Sequence, residues 1–127
     1  MEDQQLNSPV DRFIVEQIDS VPHLEALLLV WRTRPKKWEV EEMARALYVK
    51  REVAERVLEQ LAQRSLIRRA DDSSEQYLYE VDAARDPLLE RVDQTYRQEL
   101  VRISRLIHSK ASVAVHDFAR AFRFKKD

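Results

Sequence analysis

Residues 40–67 read VEEMARALYVKREVAERVLEQLAQRSLI, and this stretch decides the fold. Val40, Met43, Ala44 and Leu47 recur at three- and four-residue steps, the period of one helix face. Tyr48, Val49 and Lys50 break that period. It restarts with Ala54, Val57, Leu58 and Leu61, then runs into a β-prone Ser65-Leu66-Ile67. The spacing predicts helices over 40–47 and 51–64 joined by a tight turn, a helix-turn-helix. The small Ala44 suits such a motif, because the second helix crosses closely over the first.

On the C-terminal side, 66–70 and 77–81 are rich in strand formers, and the polar run Asp71 to Glu75 (DDSSE) separates them. This predicts a hairpin over 66–81. Tyr77, Tyr79 and Val81 alternate and are expected on one face, over the core. On the N-terminal side, Trp38 is expected to form a short strand before the motif. Farther out, Ser8-Pro9 and Ser20-Val21-Pro22 are helix starts, with serine as cap and proline in the first turn. They predict a helix over 9–19 with Val10, Phe13, Ile14 and Ile18 inward, and one over 22–33 with Leu24, Leu27, Leu28 and Trp31 inward. Leu29 and Val30 widen the second stripe and put that helix at the centre of the core. The expected core is Leu27, Leu28, Trp31, Met43, Leu47, Val57, Leu58, Leu61 and Ile67.

Past a polar connector over 82–86 and Pro87, a near-heptad stripe begins: Leu89, Val92, Tyr96, Leu100, Ile103 and Ile107. It predicts one helix over 87–108, about 30 Å long at roughly 1.5 Å per residue. That exceeds what one side of a small domain needs. Either the helix packs back over the N-terminal helices, or its stripe meets a second subunit; the expectation is a homodimer through those six residues. A terminal helix over 111–123 follows, with Ala111, Val115, Phe118, Ala119 and Phe122 at helical spacing. Asp117 near its start and Arg120, Arg123, Lys125 and Lys126 near its end suit the helix dipole. The chain thus divides into residues 1–86 and a helical extension over 87–127.

Composition narrows the function. The 127 residues suit about one domain, with 44% hydrophobic and 35% charged residues. With 22 basic against 23 acidic residues the net charge is −1, so any attraction to nucleic acid must come from a local patch. No cysteine is present, which removes disulfides, thiol catalysis and thiolate metal sites. No glycine is present either, which speaks against phosphate-cradling loops and dinucleotide fingerprints. The longest apolar run, Ala26 to Trp31, is too short to span a bilayer. The polar start MEDQQLNSPV is not a signal peptide, so a cytoplasmic protein without membrane contact is expected.

His23, His108 and His116 show no paired metal-ligand spacing, and a site built from His108, His116 and Asp117 would need two helices to converge. Adjacent carboxylates such as Glu41-Glu42 point about 100° apart on a helix, which does not suit a shared proton. No enzyme, metal or cofactor is expected.

The order of residue types in the opening stretch resembles the winged-helix domains of bacterial regulators of the MarR type. These types are an apolar–acidic–acidic–apolar-Ala start, a further step to Leu47, and Leu-x-x-Leu before Leu-Ile. The resemblance covers Trp38 to Val81. The chain's ending, a long helix and then AFRFKKD, is similar to that of some uncharacterised bacterial winged-helix proteins. The resemblance implies a mainly α winged helix whose hairpin is the wing and whose second motif helix enters the major groove of double-stranded DNA.

Lys50, Arg51 and Arg56 are then the expected DNA contacts, with Arg68 and Arg69 approaching the backbone from the strand before the wing. Arginine matches the two acceptors of guanine, and lysine neutralises phosphate. The basic cluster Arg32, Arg34, Lys36 and Lys37 around Pro35 is either a solvated loop or a further phosphate contact. Glu52, Glu55 and Glu59 oppose the phosphate field on the same helix, and the wing carries Asp71, Asp72 and Glu75. Tyr48 stands where that family usually has glycine, Lys50 where it has a serine or threonine cap, and Ser65 where glycine commonly ends the helix. A DNA-binding transcriptional regulator is the leading expectation. The alternative is a winged helix that binds a protein partner instead.

Overall fold

The computed structural model describes residues 8–72 and 75–110. They form a mainly helical chain with a three-stranded antiparallel sheet. In chain order the elements are α1 (Pro9–Gln17), α2 (Val21–Arg32), β1 (Trp38–Glu39), α3 (Val40–Leu47), α4 (Arg51–Gln63), β2 (Ile67–Arg69), β3 (Gln76–Tyr79) and α5 (Asp86–Gln98). A last helix, α6, continues over 100–110. The expected helix over 111–123, with its basic end from Arg120 to Lys126, lies outside the described residues, as do His116 and Asp117.

Both serine caps act as their sequence implies. Ser8 Oγ accepts from the Asp11 N–H and Ser20 Oγ from the His23 N–H, with a proline in each first turn. Helix α2 is the hub: it packs against α3, α4, α5 and β3. Leu24, Ala26, Leu27, Leu28 and Val30 are fully buried, so burial surrounds much of its circumference. From the motif, Met43, Ala54, Leu58 and Leu61 join them, as do Val57 and Ile67. Leu47 is only partly buried, at the edge of the same cluster.

The sheet order is β1-β3-β2, with Trp38 opposite Tyr77 and Ile67 opposite Tyr79. As the central strand, β3 is covered on both faces, so Tyr77, Leu78 and Tyr79 are all buried. The expected alternation therefore ends early. Val81 lies past the strand and is 75% exposed, not over the core.

Two helix ends follow one geometry. Tyr48 (φ 59°) and Ser65 (φ 62°) are the left-handed residues among those described. After each, the next N–H reaches back five residues, Val49 to the Ala44 carbonyl at 3.0 Å and Leu66 to Leu61 at 3.1 Å. This is the hydrogen bond of a Schellman ending, which usually places glycine at the left-handed site. The turn aims Leu66 into the core and Val49 against it. A chain without glycine thus adopts the disfavoured conformation twice, where an apolar residue must turn inward.

The long C-terminal helix is not continuous. Helix α5 ends at Glu99 (φ −131°, ψ 48°), whose N–H still bonds to the Thr95 carbonyl and whose own carbonyl accepts from Ile103. The interruption rotates the stripe. Leu89, Val92, Tyr96, Ile103 and Ile107 are buried in the same cluster as the N-terminal helices, and Leu100 turns outward at 51% exposure. Of the six residues of the expected dimer seam, five lie inside this chain's own core and Leu100 is left at the surface, which favours the packed-back arrangement. Tyr96 Oη donates to Glu25 on α2 at 2.9 Å, and Arg102 reaches Asp11 on α1, which fastens the packed-back helix.

Candidate nucleic-acid interface

The face in question is the outer side of α4, the turn before it and the hairpin beside it. Helix α4 presents this side because Ala54, Val57, Leu58 and Leu61 occupy the other, against α2 and α3. Lys50 is its N-cap residue and makes no side-chain capping bond, as expected of a lysine there. Lys50 and Arg56 are exposed and form no ion pair among the described residues.

Arg51 is placed quite differently. Its Nη2 bonds Glu75 Oε1 at 2.8 Å, Nη1 lies 3.4 Å from Glu55 Oε1, and Nε lies 3.8 Å from Glu41 Oε2. Three carboxylates from α3, α4 and the hairpin thus surround one guanidinium. Glu39, Val40, Glu41, Arg51, Glu75 and Gln76 line the resulting cleft, of about 390 Å³. Arg68 pairs with Glu80 at 3.6 Å, and Arg69 lies over the Tyr77 ring at 5.9 Å. Burial, the largest influence, pushes the Tyr77 phenol above its ordinary value; Arg69 works against that.

The five expected DNA contacts differ in their surroundings: Lys50, Arg51 and Arg56 belong to α4 and its cap, and Arg68 and Arg69 to β2. Lys50 and Arg56 form no ion pair among the described residues. Arg51 and Arg68 are held by carboxylates, and Glu52 and Glu59 stay exposed among them. Charge on this face is a patchwork. Among the described residues no group of three or more His, Cys, Asp or Glu side chains is placed to hold a metal ion, and no helix is long and apolar enough to cross a membrane.

The basic loop before the motif is largely absorbed into the fold. Arg32 binds Asp93 on α5 at 2.8 Å, and Arg34 donates to the Trp31 carbonyl at 2.6 Å while lying 4.7 Å over its ring. Lys36 pairs with Glu42 at 2.9 Å and lies 4.8 Å over Trp38. The hydrogen bond from Lys36, then one from the Glu39 N–H, hold the Glu42 carboxyl below its ordinary value. Only Lys37 of that cluster is simply exposed, which favours the structural reading of the loop over a phosphate contact.

Tyr48, which stands in the turn where glycine is usual, is 94% exposed. The available signal was an aromatic residue at a position whose geometry calls for positive φ. No protein family, curated protein or solved structure matches this chain.

Proposed function

We propose that this chain is a winged-helix module that binds a protein partner in preference to double-stranded DNA. The order of helices and strands supports the winged-helix part: two helices joined by a three-residue turn, followed by an antiparallel hairpin whose second strand also pairs with β1. The single observation that carries the functional part is the arrangement around Arg51. A residue at the start of a groove-reading helix must offer its guanidinium outward. Here the guanidinium, though 40% exposed, is answered by three carboxylates, Glu41, Glu55 and Glu75.

Duplex binding draws most of its affinity from phosphate neutralisation, commonly about 6–10 contacts. Lys50 and Arg56 alone fall well short of that, and Glu52 and Glu59 beside them add repulsion. A mosaic of both signs is instead what a protein surface can match charge by charge.

The DNA reading keeps one specific support, the exposed Lys50 and Arg56, which form no ion pair among the described residues. A mobility-shift titration on a random duplex pool at low salt separates the two. No retained complex is expected up to about 100 µM protein, the weak end of non-specific DNA binding. A complex that weakens steeply with salt and is lost in Lys50→Ala and Arg56→Ala would overturn the proposal in favour of DNA.

A further inference from the structure

The geometry points to Tyr48 as the anchor of a contact with an acidic peptide segment of a partner protein, docked on the turn between α3 and α4. This deepens the protein-module reading and rests on it. A non-glycine residue in the left-handed region is disfavoured, and for a bulky side chain it is an outlier that the surroundings must enforce. Ser65, in the same geometry, is integrated into the fold, because Arg85 donates to its carbonyl at 3.3 Å. Tyr48 is not: the residue is 94% exposed and its side chain makes no hydrogen bond or ring contact among the described residues. The turn needs a left-handed residue, but nothing in the fold needs that residue to be tyrosine.

The charges around the ring indicate what it meets. Arg45, three residues before, and Lys50, two residues after, are exposed and without an ion pair among the described residues. The nearest carboxylates on α3 have other ion-pair partners, Glu41 with Arg51 and Glu42 with Lys36, although Arg45 also helps to lower the Glu42 carboxyl. Of the exposed acids in the first turn of α4, Glu52 alone is left to oppose them. The tip thus carries an exposed aromatic residue flanked in sequence by two exposed cations that form no ion pair among the described residues. Tyrosine is enriched at interface hot spots because it buries a large rigid ring and still offers a hydroxyl. Aspartate or glutamate flanking an apolar side chain would satisfy both cations and cover the ring.

The test uses the full chain and a displayed library of random peptides, with enriched sequences synthesised and titrated by fluorescence anisotropy. Asparagine tolerates the left-handed turn, so Tyr48→Asn is expected to unfold at the same or a higher denaturant midpoint. The enriched peptides should be acidic with an apolar residue. Tyr48→Asn should weaken them about tenfold or more, as loss of an aromatic hot spot does. Arg45→Gln with Lys50→Gln should weaken them as well and flatten their salt dependence. Acidic peptides that bind Tyr48→Asn unchanged would overturn the assignment of Tyr48 while leaving the protein-module reading in place. Enrichment without an acidic bias would overturn the partner class. A random duplex retained by the native chain and lost in Tyr48→Asn would overturn both.

Discussion

Arg102 Nη1 lies 2.8 Å from Asp11 Oδ2, which joins the last described helix to the first across 91 residues of sequence. Asp11 is 2% exposed, and its other carboxylate oxygen is buried without a hydrogen-bond partner among the described residues. Arg102 in turn is steadied by Glu99, at 2.6 Å, the residue at which α5 and α6 part. The interruption of the helix and the burial of a carboxylate in α1 are thus one arrangement.

Removing the arginine leaves a buried carboxylate unpaired. Arg102→Ala should destabilise the chain by about 2–4 kcal/mol, an effect reduced by the guanidinium's partial exposure. The double substitution Asp11→Leu with Arg102→Met should recover most of that loss, because an apolar pair of similar volume needs no hydrogen bonds. Denaturant midpoints of the three variants check this; a double variant no more stable than Arg102→Ala would refute it.

Ser65→Gly should stabilise the protein by about 0.5–1 kcal/mol. Glycine takes the left-handed conformation without steric cost, although its freer unfolded chain offsets part of the gain. The hydrogen bond from Leu66 to the Leu61 carbonyl is retained, since it uses backbone atoms alone. A thermal melt that shifts downward would show that this turn is held by something other than its backbone.

Tyr96→Glu combined with Ile103→Glu should unfold the chain. Both side chains are buried against the N-terminal helices, so each glutamate would lose its water without a cation to meet it. Circular dichroism with sedimentation distinguishes the outcomes. A folded double variant, smaller in mass than the native species, would restore the dimer seam.

Stability should fall in alkali. Burial first, then the bond to Glu25, pushes the Tyr96 phenol up to about 12 from 10.0, and Tyr77 and Tyr79 are raised as well, again chiefly by burial. The unfolded phenols ionise first, so the unfolded state releases protons that the folded state keeps. The contribution is complete below about pH 10 and is lost as pH rises through the folded value near 12 for Tyr96. Denaturant midpoints followed across that window should drop, and Tyr96→Phe should show a shallower decline.

The sequence by itself determined where helices start, which faces are apolar and that a hairpin follows the motif. Those features depend on neighbours within a turn or two: Ser8 and Ser20 cap their own helices, and Met43, Ala44 and Leu58 face inward by period alone. Tertiary structure decided whatever needed a partner far along the chain. Nothing local marks Glu99 as a break, because the break is set by the fit of Ile103 and Ile107 against the core and by the reach of Arg102 to Asp11. His23 is similarly buried between Ser20 Oγ, 2.6 Å from Nδ1, and Gln60 Oε1, 2.7 Å from Nε2, a link between α2 and α4 that periodicity could not reveal. The candidate interface was legible as a list of cations on one helix and the strand that follows it. Which of them remain available was not, since the state of Arg51 depends on a glutamate 24 residues away in the hairpin. Electrostatics acts through space, and the side chains that answer a charge are chosen by the fold.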